Sequence, residues 1–331
     1  VEAVEAAGDI SGTTVKIGGV YLDRKDSYER SVVQFEQETG IDIEFIAYGS
    51  DFEGVLDDII MSGLTPDIIQ FSQPGYLAEF VRRGKVIDVR TFLGEEYLQQ
   101  QYNQALLDAT MVDGQLAGIW HNSNVKSLVW YPKKAFDAAG YQVPESWEEM
   151  MQLSDQIAAD GTTPWCIGIN SGEATGWVGT DWLEDILLRT APLEVYDAWV
   201  AGKLPFDSPE IRRAWGIMSE IWMNERYTYG AAESIMSDRF FESPMHMFSE
   251  PPECYLHRQG SFITSYFPEG SQFGVDYDFF FLPPIDEEFG NPVLGAGDIM
   301  AMFNDRPEVR ETMKYFTKGK SVRPGVENGV V

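Results

Sequence analysis

A chain of 331 residues that is 44% hydrophobic and 13% aromatic carries enough apolar material for a sizeable core and suits two domains, which excludes a disordered chain. Its 24 Lys and Arg against 53 Asp and Glu leave a formal charge of -29, a field that repels nucleic-acid phosphates and anionic membrane surfaces. The acid excess reads either as a well-solvated surface or as adaptation to salty surroundings, and no run reaches the roughly 20 apolar residues that span a bilayer.

Along the chain, apolar strand-like runs alternate with amphipathic helices, the signature of parallel βα units. Residues Thr14 to Leu22 read as a strand, Tyr28 to Thr39 as a helix stopped by Gly40, and IDIEFIAY as a second strand. The segment DFEGVLDDIIMSG has helical spacing, with Asp51 placed as a natural N-cap. TPDIIQF is a short strand introduced by Pro66, followed by the helix GYLAEFVRRG and the apolar VIDV. Two strand-like runs in DGQLAGIWHNSNVKSLVWYP form the expected crossover to a second domain. There KKAFDAAG and VPESWEEMMQLSDQIAADG read as helices, the latter capped by Ser146 with Glu149 completing a capping box, and TPWCIGI as a strand. The helices TDWLEDILLRT and SPEIRRAWGIMSEIWMNE follow, and the Trp and Met stripe of the second suits a core. VDYDFFFLPPI and GAGDIMAMF read as strands, the last returning to the first domain. The expected divisions are 1–128, 129–295 and 296–331.

The opening VEAVEAAGDISG lacks the basic and apolar parts of a signal peptide and reads as a mature, processed end. Two cysteines, Cys166 and Cys254, are too few and too far apart for a zinc knuckle, and in an oxidising compartment they are expected to pair as a disulfide. With His121, His246 and His257 as the three histidines, the chain holds no HExxH motif, GxSxG elbow, GxxxxGK[ST] loop or GxGxxG turn. No metal, cofactor or enzymatic activity is expected. The strongest catalytic rival is a carboxylate pair, Asp181 and Glu184 beside Trp177 and Trp182, although residues three apart on a helix are commonly plain neighbours. What the sequence offers instead is aromatic and neutral polar clusters at element ends. Such groups suit sugars, whose ring faces stack on Trp and Tyr and whose hydroxyls both donate and accept.

From SDFEGVLDDIIMSGLTPDIIQFSQPG onward the sequence resembles the extracellular sugar-binding proteins of ABC importers, the family that includes maltodextrin-binding protein. The stretches NVKSLVWYPKKAFDAAGYQVPESWEEM, GTTPWCIGINSGEATGWVGTDWLEDILLR, ECYLHRQGSFITSYFPEG and PVLGAGDIMAMFNDRPEVR are similar to its α-glucoside-binding subgroup, with receptors for trehalose, sucrose, maltose and glucosylglycerol. The resemblance implies an α/β, two-lobed periplasmic-binding-protein fold of type II with hinge strands, and a cleft that closes on ligand. Carried over by matched motif, the ligand contacts are Ser50, Asp51, Gln73, His121, Asn122 and Asn124 in the first lobe. Trp177, Asp181 and Arg258 serve in the second, and Gly297 and Asp298 on the return strand, where the glycine lets backbone approach the ligand. Bland alternatives stand beside these: Asp51 as a cap alone, Gln73 as part of a turn, and Arg258 in a surface ion pair. Lys126 and His121 need no ligand to explain them, and Trp120, Trp130 and Trp182 suit packing. The implied partners are a neutral α-glucoside or oligosaccharide and the transmembrane subunits of an ABC permease. A monomer, periplasmic or tethered outside the membrane with its signal peptide removed, is expected. Lectin-like binding is the remaining alternative. Members of the family continue past the GAGD strand for tens of residues, so ENGVV reads as an early stop.

Overall fold

The computed structural model describes residues 10–20 and 25–321, with backbone alone for 25–27, 50 and 320. Within them run the strands β1 (Thr14–Gly19), β2 (Asp42–Ala47), β3 (Ile68–Phe71), β4 (Met111–Val112), β5 (Gln115–Leu116), β6 (Ile119–Val125) and β7 (Leu128–Tyr131). They continue with β8 (Thr163–Trp165), β9 (Cys254–Arg258), β10 (Asp278–Phe281) and β11 (Gly295–Met302). The chain forms two units, one of residues up to Asn124 together with those from Ala296, the other of Val125 to Gly295. Tyr21 and Leu22, expected to finish the first strand, lie outside the described residues, as do both chain ends.

In the first unit the sheet order is β2-β1-β3-β11-β6, with β1 parallel to β2 and β3, and β11 antiparallel to β3. Helices Lys25–Thr39 and Phe52–Met61 supply the crossovers that parallel neighbours require. Successive side chains on a strand face opposite ways, and the two faces here feed separate cores. Val15, Ile17, Ile68, Met300 and Met302 join one core, and Ile69, Phe71, Ile299 and Ala301 the other. By the same alternation Gln70 and Ser72 continue the Ile68 face and Asp298 continues that of Met300. At the carboxyl end of β3 that face therefore turns from apolar to polar, where open α/β sheets hold ligands.

The second unit has a sheet of order β10-β7-β9-β8, in which β9 is antiparallel to β7 and parallel to β8. Both central strands, LVWY and CYLHR, are buried throughout, so their alternate residues face cores on both sides. In one core Trp165, Trp182 and Trp222 pack edge to face at 5.4 and 6.1 Å. The other encloses Leu128, Trp130, Phe262 and the joined pair Cys166 and Cys254.

Several local expectations shift. Asp51 stands at the cap of Phe52–Met61, but its side chain makes no capping bond. Ser146 does cap Trp147–Ala159, accepting from the Glu149 amide at 3.2 Å. Glu149, however, reaches back to the amide of Glu145 at 2.7 Å, one residue beyond the cap. The strand expected over TPWCIGI ends at Trp165, because Cys166 to Ile169 turn away to bond Leu256 and Ile235 by single amides. The Trp and Met stripe of Pro209–Trp222 splits: Met218 and Trp222 are buried, while Trp215 and Met223 face outward. Short helices at Glu95–Gln101, Gln104–Ala109, Leu193–Val200 and Ala231–Ser237 were not foreseen, since one or two turns show too little periodicity.

Candidate functional site

At the polar end of the first sheet the Asp298 carboxylate gathers three donors from two segments. Ser72 Oγ donates to Oδ1 at 2.6 Å, and Gln70 Nε2 and Asn122 Nδ2 donate to Oδ2 at 2.8 and 2.7 Å. Asn122 also accepts from the Asp298 amide at 3.0 Å, which locks β6 to β11. Gln70 and Asn122 are buried and Ser72 is exposed, so the cluster has a fixed interior and one displaceable donor. Gly297 plays a different part from the one expected. A Cβ there would meet the Asn122 carbonyl at 2.0 Å and the Trp120 ring at 2.7 Å, so the glycine admits neighbouring protein instead of ligand.

The other first-unit candidates are spread out. His121 is buried, stacked on Tyr28 at 5.5 Å and edge-on to Phe316 at 5.2 Å, which is a core environment. Asn124 is buried at the end of β6. Asp51 is exposed, and of Ser50 only the backbone, in the turn Gly49–Asp51, is described. Gln73 precedes helix Pro74–Arg82 and points its amide toward Glu53 at 3.4 Å.

In the second unit one helix, Trp177–Leu188, organises the site. Trp177, Asp181, Asp185 and Arg189 recur every four residues and so form one stripe that continues past its end. Asp181 Oδ2 accepts from Lys126 Nζ at 2.8 Å, and that ammonium lies 4.5 Å from the centroid of Trp177 and 5.1 Å from that of Phe262. Trp177 is half-buried, with Phe240 edge-on at 5.1 Å. Beneath it Asp185, fully buried, binds Arg258 Nη2 at 2.8 Å, Ser127 Oγ at 2.7 Å and the Arg189 guanidinium. Arg258 is therefore held by a buried carboxylate and not by one at the surface. Among the described residues its Nη1 has no hydrogen-bond partner, and it stands 3.9 Å from Asp181 Oδ2.

This arrangement bears on the carboxylate pair. Asp181 is tied to Lys126, while Glu184 Oε2 accepts from Tyr196 at 2.8 Å. Burial pushes the Glu184 carboxyl above its ordinary range, against the pull of the Tyr196 bond. The two are partly buried members of an ion cluster, not ordinary surface neighbours. Chemically the stripe offers aromatic faces, carboxylate acceptors and guanidinium and ammonium donors, suited to grip a polyhydroxylated ring. Asp185, Gln70, Ser72 and Tyr28 were missed. Only Asp185 left a signal, a carboxylate four positions before Arg189, at helical spacing.

A family model described as bacterial extracellular solute-binding protein matches residues 21–236. Over 314 residues the chain is 44% identical to the osmoprotective compounds-binding protein GgtB of Synechocystis sp., spanning 95% of this chain and 74% of that protein. Over 328 residues it is 37% identical to the alpha-glucosides-binding periplasmic protein AglE of Rhizobium meliloti, spanning 95% of this chain and 70% of that one. The solved structure of maltose-bound MalE3 of T. maritima superposes with a TM-score of 0.71 at 17% identity, covering 94% of this chain and 77% of that chain. That last likeness speaks for the shared α/β fold alone.

Proposed function

The chain belongs to the bacterial extracellular solute-binding proteins, and from that premise we propose that it captures a small neutral α-glucoside for an ABC importer and delivers it to the membrane permease. The ligand is a disaccharide such as trehalose, sucrose or maltose, or a glucosylated osmolyte such as glucosylglycerol. What carries the reading is the likeness, along 95% of the chain, to two proteins named for osmoprotective compounds and for alpha-glucosides. The grouping of Trp177 and Asp181 with Lys126 and Arg258 supports it, because it joins an aromatic face to both acceptors and donors. On the first unit the Asp298 cluster, with its exposed Ser72 hydroxyl, supports it separately.

Capture involves no chemical step, and the protein acts as a monomer in the periplasm or outside the cell. The buried Cys166 to Cys254 bond supports an oxidising compartment, and no helix of the described residues is long and apolar enough to cross a membrane. The division into two lobes that close on ligand belongs to the same proposal, and small-angle scattering should show a more compact particle at saturation.

Calorimetry over a panel of neutral sugars and compatible solutes tests the reading. One glucoside should bind, emerge chemically intact, and lose roughly 1 to 3 kcal/mol of affinity in Trp177→Ala and in Asp298→Ala, the scale of a lost stacking contact or an unpaired buried polar group. Unchanged affinity in both variants would remove these residues from the site. Turnover of the sugar that vanished in Asp181→Asn would replace transport with hydrolysis.

A further inference from the structure

The surroundings of the Lys126 ammonium are those of a bound cation. A carboxylate oxygen of Asp181 lies at 2.8 Å, the centroids of Trp177 and Phe262 at 4.5 and 5.1 Å, and Lys126 is 8% exposed. Aromatic faces with a nearby carboxylate are what recognise quaternary and primary ammonium ligands. Here the occupant is a side chain of the protein itself. The enclosure is built: the Lys126 amide is anchored to the Leu294 carbonyl at 2.8 Å. Gly260 leaves the room, since a Cβ there would come within 2.8 Å of Phe262 and 3.0 Å of Lys126 Cδ.

The ion pairing points the same way. Asp181 and Asp185 are paired with Lys126, Arg189 and Arg258, and of these cations Lys126 is the one within hydrogen-bond distance of Asp181. Without Lys126, Asp181 would keep only the more distant Arg258 guanidinium at 3.9 Å, and the Trp177 and Phe262 faces would lose their cation. We propose that Lys126 is a specificity-determining residue, a tethered cation that fills an aromatic and carboxylate cage, so that the site takes neutral solutes and turns ammonium solutes away. This rests on the reading that the Trp177 and Asp181 stripe is part of the solute site.

The test uses the full chain with Lys126→Met, which keeps an unbranched apolar stem against Trp177 and Phe262, and Lys126→Gln as a second variant. Each is titrated calorimetrically with choline and with its neutral isostere 3,3-dimethylbutanol, after a cooperative melt has shown that it is folded. Both variants should bind choline about tenfold or more tightly than the wild type, the reach of a desolvated cation–π cage, with no comparable gain for the isostere. The inference is overturned if folded variants bind choline no better than the wild type, if the isostere gains as much, or if the wild type already binds choline as tightly as a glucoside. A wild type that binds a glucoside beside variants blind to choline sinks the cage and spares the transport reading. A wild type that binds no glucoside beside variants that gain choline does the reverse.

Discussion

His257 makes the stability of the second unit depend on pH in a direction and over a range that can be worked out. It lies within β9, 2% exposed, with Nδ1 at 2.9 Å from the Cys166 carbonyl, so the hydrogen resides on Nδ1. Nε2 has no hydrogen-bond partner among the described residues. Burial lowers its pKa from 6.5 to about 4, the carbonyl opposing that fall and neighbouring Arg258 reinforcing it. Below pH 6.5 the unfolded chain therefore takes a proton that the folded chain refuses. Stability from this group is complete above pH 6.5 and is lost as pH falls toward 4. At about 1.4 kcal/mol per pH unit the whole loss is about 3 kcal/mol, of which about 2 kcal/mol has gone by pH 5. His257→Asn keeps an amide where Nδ1 donates but cannot titrate. Urea unfolding at pH 7 and pH 5 compares the two proteins, followed by tryptophan fluorescence, since every tryptophan except Trp120 lies in the second unit. The wild type should lose about 2 kcal/mol more than the variant between these pH values, whatever the variant's absolute stability. Equal losses would show that the imidazole accepts its proton in the folded state and would refute the reasoning.

Two further perturbations probe what holds the site. Asp185→Ala should cost about 3 to 5 kcal/mol in denaturant unfolding, because it strands the buried guanidiniums of Arg189 and Arg258; a cost under 1 kcal/mol would mean that neither depends on this carboxylate. Replacing both Cys166 and Cys254 by Ala opens a loop of sequence separation 88 and should lower stability by about 4 to 5 kcal/mol in the chain-entropy account, while leaving glucoside affinity in the surviving folded protein within about twofold. Calorimetry of the folded variant checks the second half, and a large affinity loss would show that the bond also shapes β9 and its Arg258.

Much of the architecture was written in the spacing of apolar residues. TVKIGG and IDIEFIA alternate, SYERSVVQFEQET and FEGVLDDIIM repeat every three to four, and these became the strands and crossovers of the first sheet. Where the reading slipped, tertiary demands outweighed local pattern. TPWCIGI looks like a strand throughout, yet after Trp165 its amides are claimed one at a time by Leu256 and Ile235. Glu149 accepts from the Glu145 amide and not from that of Ser146, a shift of one residue that the capping-box spacing does not reveal. The site residues were legible unevenly for a related reason. Asp298 and Asn122 lie in short matched motifs and do meet in space. Gln70 looks like the polar partner in an alternating strand, and nothing in IIQFS tells that it reaches a residue 228 positions away. Gly297 was read correctly as a place of close approach, but composition cannot say what approaches, and it is Trp120 and the Asn122 carbonyl.

The charge distribution gives the transport reading a reason that motif matching lacks. With 53 acidic and 24 basic residues, a site that reflected the chain as a whole would present acceptors almost alone. Each hydroxyl of a neutral polyol donates one hydrogen bond and can accept two, so a site of acceptors alone would leave the accepting side of the solute unmatched. The surroundings of Trp177 depart from the chain's composition: Lys126, Arg189 and Arg258 are paired with Asp181 and Asp185. Holding these ionic groups together largely out of water is costly, and apolar residues of like volume would serve stability as well or better. On the proposed reading the cost has a use: buried Asp185 fixes Arg258 behind Asp181, and Lys126 and Asp181 set a donor and an acceptor beside the Trp177 ring, within a chain that is otherwise strongly acidic.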